Sequence, residues 1–141
     1  MDFETVNQGV PIIKGTRAYY QLPFQWSVHR WDGVDKEIEN REGYSFIDFD
    51  AQNIERKFVE SLLDVIGNKG TVFAHHATTE KTVLKKIAEN ESVKDLSDKI
   101  NKLILRVEDT LDIVRKNFYS PIFKGDYGLK KIIKAIPSDI N

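Results

Sequence analysis

The chain opens on Asp2-Phe3-Glu4-Thr5, two carboxylates at i and i+2 around an aromatic residue. On a β-strand that spacing puts Asp2 and Glu4 on one face, with Phe3 turned to the core behind them. Adjacent carboxylates repel, and a divalent cation with hard oxygen ligands is the usual remedy. A third carboxylate arriving from another element would complete the set that two-metal phosphoryl chemistry needs. Two later stretches offer one: Ala74-His75-His76-Ala77-Thr78-Thr79-Glu80 and Glu108-Asp109-Thr110-Leu111. The plainer and commoner reading of such a pair is a solvated strand edge.

His75 and His76 admit a different use, as transition-metal ligands beside Asp2 and Glu4. Adjacent positions on a strand face opposite ways, so at most one of them joins a site. Each is read first as a hydrogen-bonded histidine near the core, and His29 as structural or exposed. Among the aromatic residues, Phe24 and Trp26 sit at strand spacing and are read as core. Tyr119 and Tyr127, beside Lys116 and Lys124, are better placed to stack on unpaired bases.

These residues need elements to position them. A chain of 141 residues, 40% hydrophobic and 11% aromatic, supports one globular domain with a single core. The net charge of -1 favours no class of partner, but its distribution is uneven. Residues 1–60 carry eleven acidic against seven basic side chains, whereas residues 115–134 carry Arg115, Lys116, Lys124, Lys130, Lys131 and Lys134 against Asp126 alone. That polarity suits a site where cations meet a phosphate backbone; a solvated helix face would carry the same run. The lack of cysteine excludes disulfides, thiolate metal sites and cysteine nucleophiles. No apolar run reaches the roughly 18 residues that span a membrane and no signal peptide is visible, so the expected location is cytoplasmic.

Met1 to Thr5 reads as the end of a strand, and the whole of residues 1–141 as one domain cut short at both ends. Pro23 to Trp31 alternates with period 2, and an edge strand is expected within residues 35–47. Ile54, Phe58, Leu62 and Val65 mark a helix that ends at Gly67. Thr71–Ala74 reads as an inner strand, and Thr78 or Thr79 as the cap of a helix running to about Glu89. Ser92 and Asp95 are expected to open a further helix whose stripe runs from Leu96 through Val107 and Leu111 toward Arg115. A loop over Phe118–Tyr127 and a short helix over Leu129–Ile136 follow. The order suits a mixed α/β sheet with helices packed over it.

At this point the residues resemble the DnaQ-like exonucleases of the DEDD class, which have the RNase H-like fold. Asp2 and Glu4 match the family's first motif, Asp-x-Glu at a strand end. His75-His76-Ala77-Thr78-Thr79-Glu80, between a strand and a helix, matches the second. Asp109-Thr110-Leu111 with Arg115 and Leu129 matches a further trait. More closely, nearly the whole chain resembles a bacterial domain family of unknown function with the same signature. The matching words are Asp2-Phe3-Glu4-Thr5, Leu22-Pro23-Phe24-Gln25 with Ser27 and His29, and Tyr119 to Gly125 leading into Leu129-Lys130-Lys131.

The resemblance implies an RNase H-like mixed β-sheet flanked by α-helices and a metal-dependent nuclease, a 3′-5′ exonuclease on DNA or RNA. Asp2, Glu4 and Glu80 would be both the catalytic residues and the ligands of Mg²⁺ or Mn²⁺. Thr5, His76, Asp109, Lys116, Tyr119 and Lys124 would contact the substrate, a single-stranded nucleic acid, and further domains of a longer chain would be partners. The alternative is a noncatalytic nucleic-acid-binding or protein-docking module on the same scaffold. This sequence departs from the family at three points: Glu80 stands where Asp is usual and His76 where Asn is usual. The third motif, a His or Tyr four residues before a last Asp, is lacking, since Asp139 is preceded at that spacing by Ala135.

Overall fold

The computed structural model describes residues 1–11, 16–31, 33, 41–50 and 52–136. Asp32, residues 34–40 at the start of the expected edge strand, Pro137 and Asp139 lie outside the described residues. The elements form a mixed α/β domain. Strands β1 (Asp2–Asn7), β2 (Gln21–Arg30) and β3 (Glu42–Ile47) make an antiparallel ladder with β2 in the middle. Strands β4 (Val72–Ala74) and β5 (Val107–Asp109) pair in parallel as a second ladder. The strands thus form two ladders where the sequence led us to expect one sheet. One recorded bond joins them edge to edge: the Met1 amine donates to the Phe73 carbonyl at 2.8 Å.

Both ladders bury one face against the same helices. Phe3, Trp26 and Val28 from the first, and Val72, Ala74 and Val107 from the second, belong to one apolar cluster. Helices α1 (Ile54–Ile66), α2 (Thr78–Ala88) and α3 (Ser97–Arg106) complete it with Phe58, Leu84, Ile100 and their neighbours. The rings of Phe3 and Phe58 meet edge to face at 5.0 Å, and Trp26 Nε1 donates to Ser61 Oγ at 3.1 Å, so the large core ring leaves no bare N–H. Gly67, at φ 63°, ends α1 by donating its N–H to the Leu63 carbonyl, the left-handed stop a side chain would strain.

Loops are tied to this core by polar groups. Glu55 is 9% exposed; the Tyr20 hydroxyl donates to one of its carboxylate oxygens at 2.5 Å and Asn90 Nδ2 to the other at 2.6 Å. Burial, then the Glu55 carboxylate, pushes the Tyr20 phenol well above its usual range. Arg56 binds Asp95 through two bonds of 2.9 Å and holds that carboxyl below the usual carboxylate range.

Two expectations fail for local reasons. The side chains of Thr78 and Thr79 make no cap to α2, whose N-cap position is Ala77. The long helix expected from Ser92 toward Arg115 is three helical segments and a strand. A 3₁₀ segment, Glu91–Leu96, is capped by Asn90; α3 ends at Arg106; α4 (Thr110–Asn117) starts after β5 with Asp109 as its N-cap. Val107 keeps the apolar spacing of the stripe but turns to extended backbone, because Val72–Ala74 offers it a parallel partner. The last helix, α5, spans Leu129–Ala135. No helix among the described residues is long and apolar enough to cross a membrane.

Candidate acidic site

Strand β1 sets the first two carboxylates. Phe3 is 7% exposed, and Asp2 and Glu4 are exposed on either side of it, as period-2 alternation requires. Asp2 pairs with Ser27 and Glu4 with Gln25, after which the register slips and Thr5 faces Pro23. Phe24 is therefore the extra residue of a β-bulge on β2 beside Glu4, a device that re-aims side chains. The Thr5 hydroxyl accepts Gln21 Nε2 at 3.2 Å, which fixes it at the strand edge.

The third carboxylate arrives over a sharp turn. After β4 the chain passes through His76 in the left-handed region, at φ 67°, and enters α2. Asp109 holds that turn. Its Oδ1 accepts the N–H of His76 at 3.0 Å and that of Leu111 at 2.9 Å, and its Oδ2 accepts Ala77 N–H at 3.0 Å. The first turn of α2 then places Glu80 inside, 5% exposed, with no hydrogen-bond partner for Oε2 among the described residues. Burial pushes the Glu80 carboxyl above its ordinary value, and the negative charges of Asp2 and Asp109 push it further; a hydrogen bond from its own backbone N–H and the Met1 ammonium oppose them. Asp2 and Asp109 are therefore each within electrostatic reach of Glu80, although both are far from it in sequence.

A hard cation fits part of this arrangement. A buried carboxylate oxygen without a donor is costly, and a divalent ion is one of the few groups that would satisfy it at such a charge density. Asp2 and Glu80 would have to supply the oxygens for it. Asp109 adds charge, but its carboxylate is occupied by three backbone N–H groups. Among the described residues no group of three or more His, Asp or Glu side chains is arranged to hold an ion. Glu4, two residues along β1, lies roughly 7 Å of strand from Asp2.

The histidines separate as adjacent strand-end residues should. The His75 ring is half-buried, with Nδ1 3.1 Å from Thr110 Oγ1 and Nε2 3.1 Å from the Tyr127 carbonyl. A carbonyl only accepts, so in this geometry Nε2 carries the proton. Both ring nitrogens are thus engaged, Nε2 with the 118–128 loop and Nδ1 with the start of α4, while the His76 side chain is exposed beyond its strained backbone. The sequence signal for the His75 contact is slight: a threonine directly after the cap Asp109.

The basic flank is built on Phe123, which is fully buried. Tyr127 packs on it at 4.9 Å between centroids, and the Arg115 guanidinium lies 5.6 Å over the Tyr127 ring. Tyr127 is thereby used in packing, whereas Tyr119 is 77% exposed. Lys116 and Lys124 are exposed on the same segment, and Lys131 pairs with Asp126 at 2.8 Å. Of the aromatic residues read as core, Trp26 is 2% exposed, and Phe24 is half-buried, stacked on Phe49 at 5.5 Å.

Fold and site together define a small mixed α/β domain with a buried, charge-crowded carboxylate at a strand-to-helix turn. The chain belongs to the family described as Domain of unknown function (DUF2779), which it matches over residues 1–128. No curated protein and no solved structure matches it.

Proposed function

We propose that this domain is a metal-dependent nuclease that hydrolyses phosphodiester bonds of single-stranded nucleic acid from a 3′ end, with Asp2 and Glu80 as the ligands of Mg²⁺ or Mn²⁺. The observation that carries the reading is the bare Oε2 of buried Glu80 under the charge of Asp2 and Asp109. A bound cation supplies an activated water and charge for the leaving oxygen. Glu4 orients the second ligand sphere from the same strand face. Tyr119, Lys116 and Lys124 receive a base and its phosphates on the flank. The Met1–Phe73 bond, which joins the two ladders edge to edge, agrees with the RNase H-like mixed sheet that the motifs imply. Turnover is slow in this reading, because Ala135 stands where the general base is expected and such a base contributes roughly 10²- to 10⁴-fold.

A second reading is a noncatalytic module for nucleic acid or protein docking. It is favoured by one observation: both oxygens of Asp109 already accept backbone N–H groups. Titration with Mn²⁺ beside digestion of labelled single-stranded DNA and RNA separates the two. Ion binding and digestion, both lost in Asp2→Asn and Glu80→Gln, support the nuclease. Ion binding without digestion leaves the docking module. No ion binding overturns the metal site.

A further inference from the structure

The bulge on β2 decides what stands opposite the two carboxylates of β1. Asn7 faces Gln21, Val6 faces Leu22 and Thr5 faces Pro23. Continued without a break, that register would set Phe24 opposite Glu4 and Trp26 opposite Asp2. The observed pairing slips between Glu4 and Thr5, and a slip of one residue exchanges the two faces of a strand. Trp26 therefore turns to the core opposite Phe3, 2% exposed, and Gln25 and Ser27 come out opposite Glu4 and Asp2. Bulges are over-represented next to active sites, where they re-aim side chains. Here the bulge replaces two aromatic neighbours of the acidic pair by an amide and a hydroxyl.

Both side chains are open for bonding. They are half-buried, and neither has a hydrogen-bond partner among the described residues. Directly opposite residues of an antiparallel pair carry their Cβ atoms about 5 Å apart, so a group held at Asp2 or Glu4 also lies beside Ser27 or Gln25. On β3 the two rows continue into Ser45, opposite Ser27, and Ile47, opposite Gln25, both exposed. The strip beside the carboxylates is thus neutral and polar, with one apolar side chain at its margin. Two carboxylates repel a phosphate that would lie over this strip. A sugar hydroxyl suits it, since the hydroxyl and the facing amide and serine groups each both donate and accept.

We propose that Gln25 and Ser27 bind the hydroxyl groups of the 3′-terminal sugar beside the acidic site, and that the strand this domain takes is RNA. The inference rests on the nuclease reading of that site and adds its substrate class. The 2′-hydroxyl is the group by which a protein tells RNA from DNA. Gln25 takes the hydroxyl proton on its carbonyl oxygen, and Ser27 donates to the hydroxyl oxygen from the adjacent row. A deoxyribose in the same place leaves both groups without the partner they are set to meet.

The test uses the whole chain with Mn²⁺ and two labelled oligouridylates that differ only in the last 3′ sugar, ribose in one and 2′-deoxyribose in the other. Anisotropy at low salt, read before turnover, should show the all-ribose strand bound roughly tenfold more tightly. Gln25→Met, which keeps the length of the side chain, and Ser27→Ala should each cut that preference by roughly threefold or more. Both variants should keep the wild-type unfolding transition and its response to Mn²⁺. Equal affinity for the two strands, binding of neither, or a preference that survives in both variants overturns the proposal. Digestion of both strands at one rate by a chain that binds Mn²⁺ also overturns it and leaves the nuclease reading standing. A preference lost in both variants, in a chain that neither binds Mn²⁺ nor digests, keeps the sugar contact and overturns the nuclease reading instead.

Discussion

Asp109 accepts the backbone N–H of Ala77 at 3.0 Å, across 32 positions of sequence. This one contact couples the start of α4, which Asp109 caps, to the start of α2, which carries Glu80. Asp109 also accepts the N–H of His76, so it stabilises the left-handed conformation that turns the chain from strand to helix. The acidic site is thus positioned by a carboxylate whose own oxygens face the backbone.

Replacing that acceptor should therefore cost more than an ordinary helix cap. Asp109→Ala is expected to destabilise the domain by about 3 kcal/mol, as three N–H groups lose a charged partner. Asp109→Asn, which keeps one acceptor oxygen, should cost less. Chemical denaturation measures both, and faster amide exchange at His76 and Ala77 would locate the loss. An Asp109→Ala protein as stable as wild type would remove Asp109 from this role.

Glu80 gives a pH dependence whose sign is fixed. Its folded pKa is raised by burial, Asp2 and Asp109 above the unfolded value, so between those two values the native state holds the extra proton. Stability then falls as pH rises through this window, and above it the ionised carboxylate is a standing penalty. Glu80→Gln should be more stable than wild type at neutral pH and lose this segment of the pH profile. Thermal unfolding from pH 4 to 8 tests it; parallel curves for the two proteins would contradict the burial argument.

Mn²⁺ or Mg²⁺ should raise the unfolding temperature at neutral pH, since an ion that binds only the folded state stabilises it by mass action. The shift should shrink as pH falls toward protonation of Glu80, and both Asp2→Asn and Glu80→Gln should abolish it. Persistence of the full shift in Glu80→Gln would place the ion elsewhere.

Binding of single-stranded DNA or RNA should weaken steeply with salt, because neutralised phosphates release counterions. Lys116→Glu and Lys124→Glu should each flatten the salt slope by about one unit, while Tyr119→Ala should cost roughly 1–3 kcal/mol with the slope unchanged. Calorimetry or anisotropy across a salt series distinguishes them. A salt-independent affinity would favour protein docking on this flank.

Much of the scaffold was legible in the order of residues. The spacing of Ile54, Phe58 and Leu62 with Gly67 after it marked α1, and the alternation around Trp26 marked β2, because helix and strand periods act over a few neighbours. The exposure of Asp2 and Glu4 around buried Phe3 followed from the same period-2 rule. The stripe from Leu96 to Leu111 misled for the same reason. Val107 satisfies a helical period locally, and only β4, 35 positions earlier, supplies the hydrogen bonds that make it a strand. Tertiary structure likewise decided the fates of the polar residues. His75 is held by Thr110 and Tyr127, Asp109 by the N–H groups of His76 and Ala77, and Glu80 is set apart by having no donor to its second oxygen among the described residues. Desolvation and cross-chain hydrogen bonding depend on what arrives from elsewhere in the chain, and no local pattern of residue types encodes that arrival.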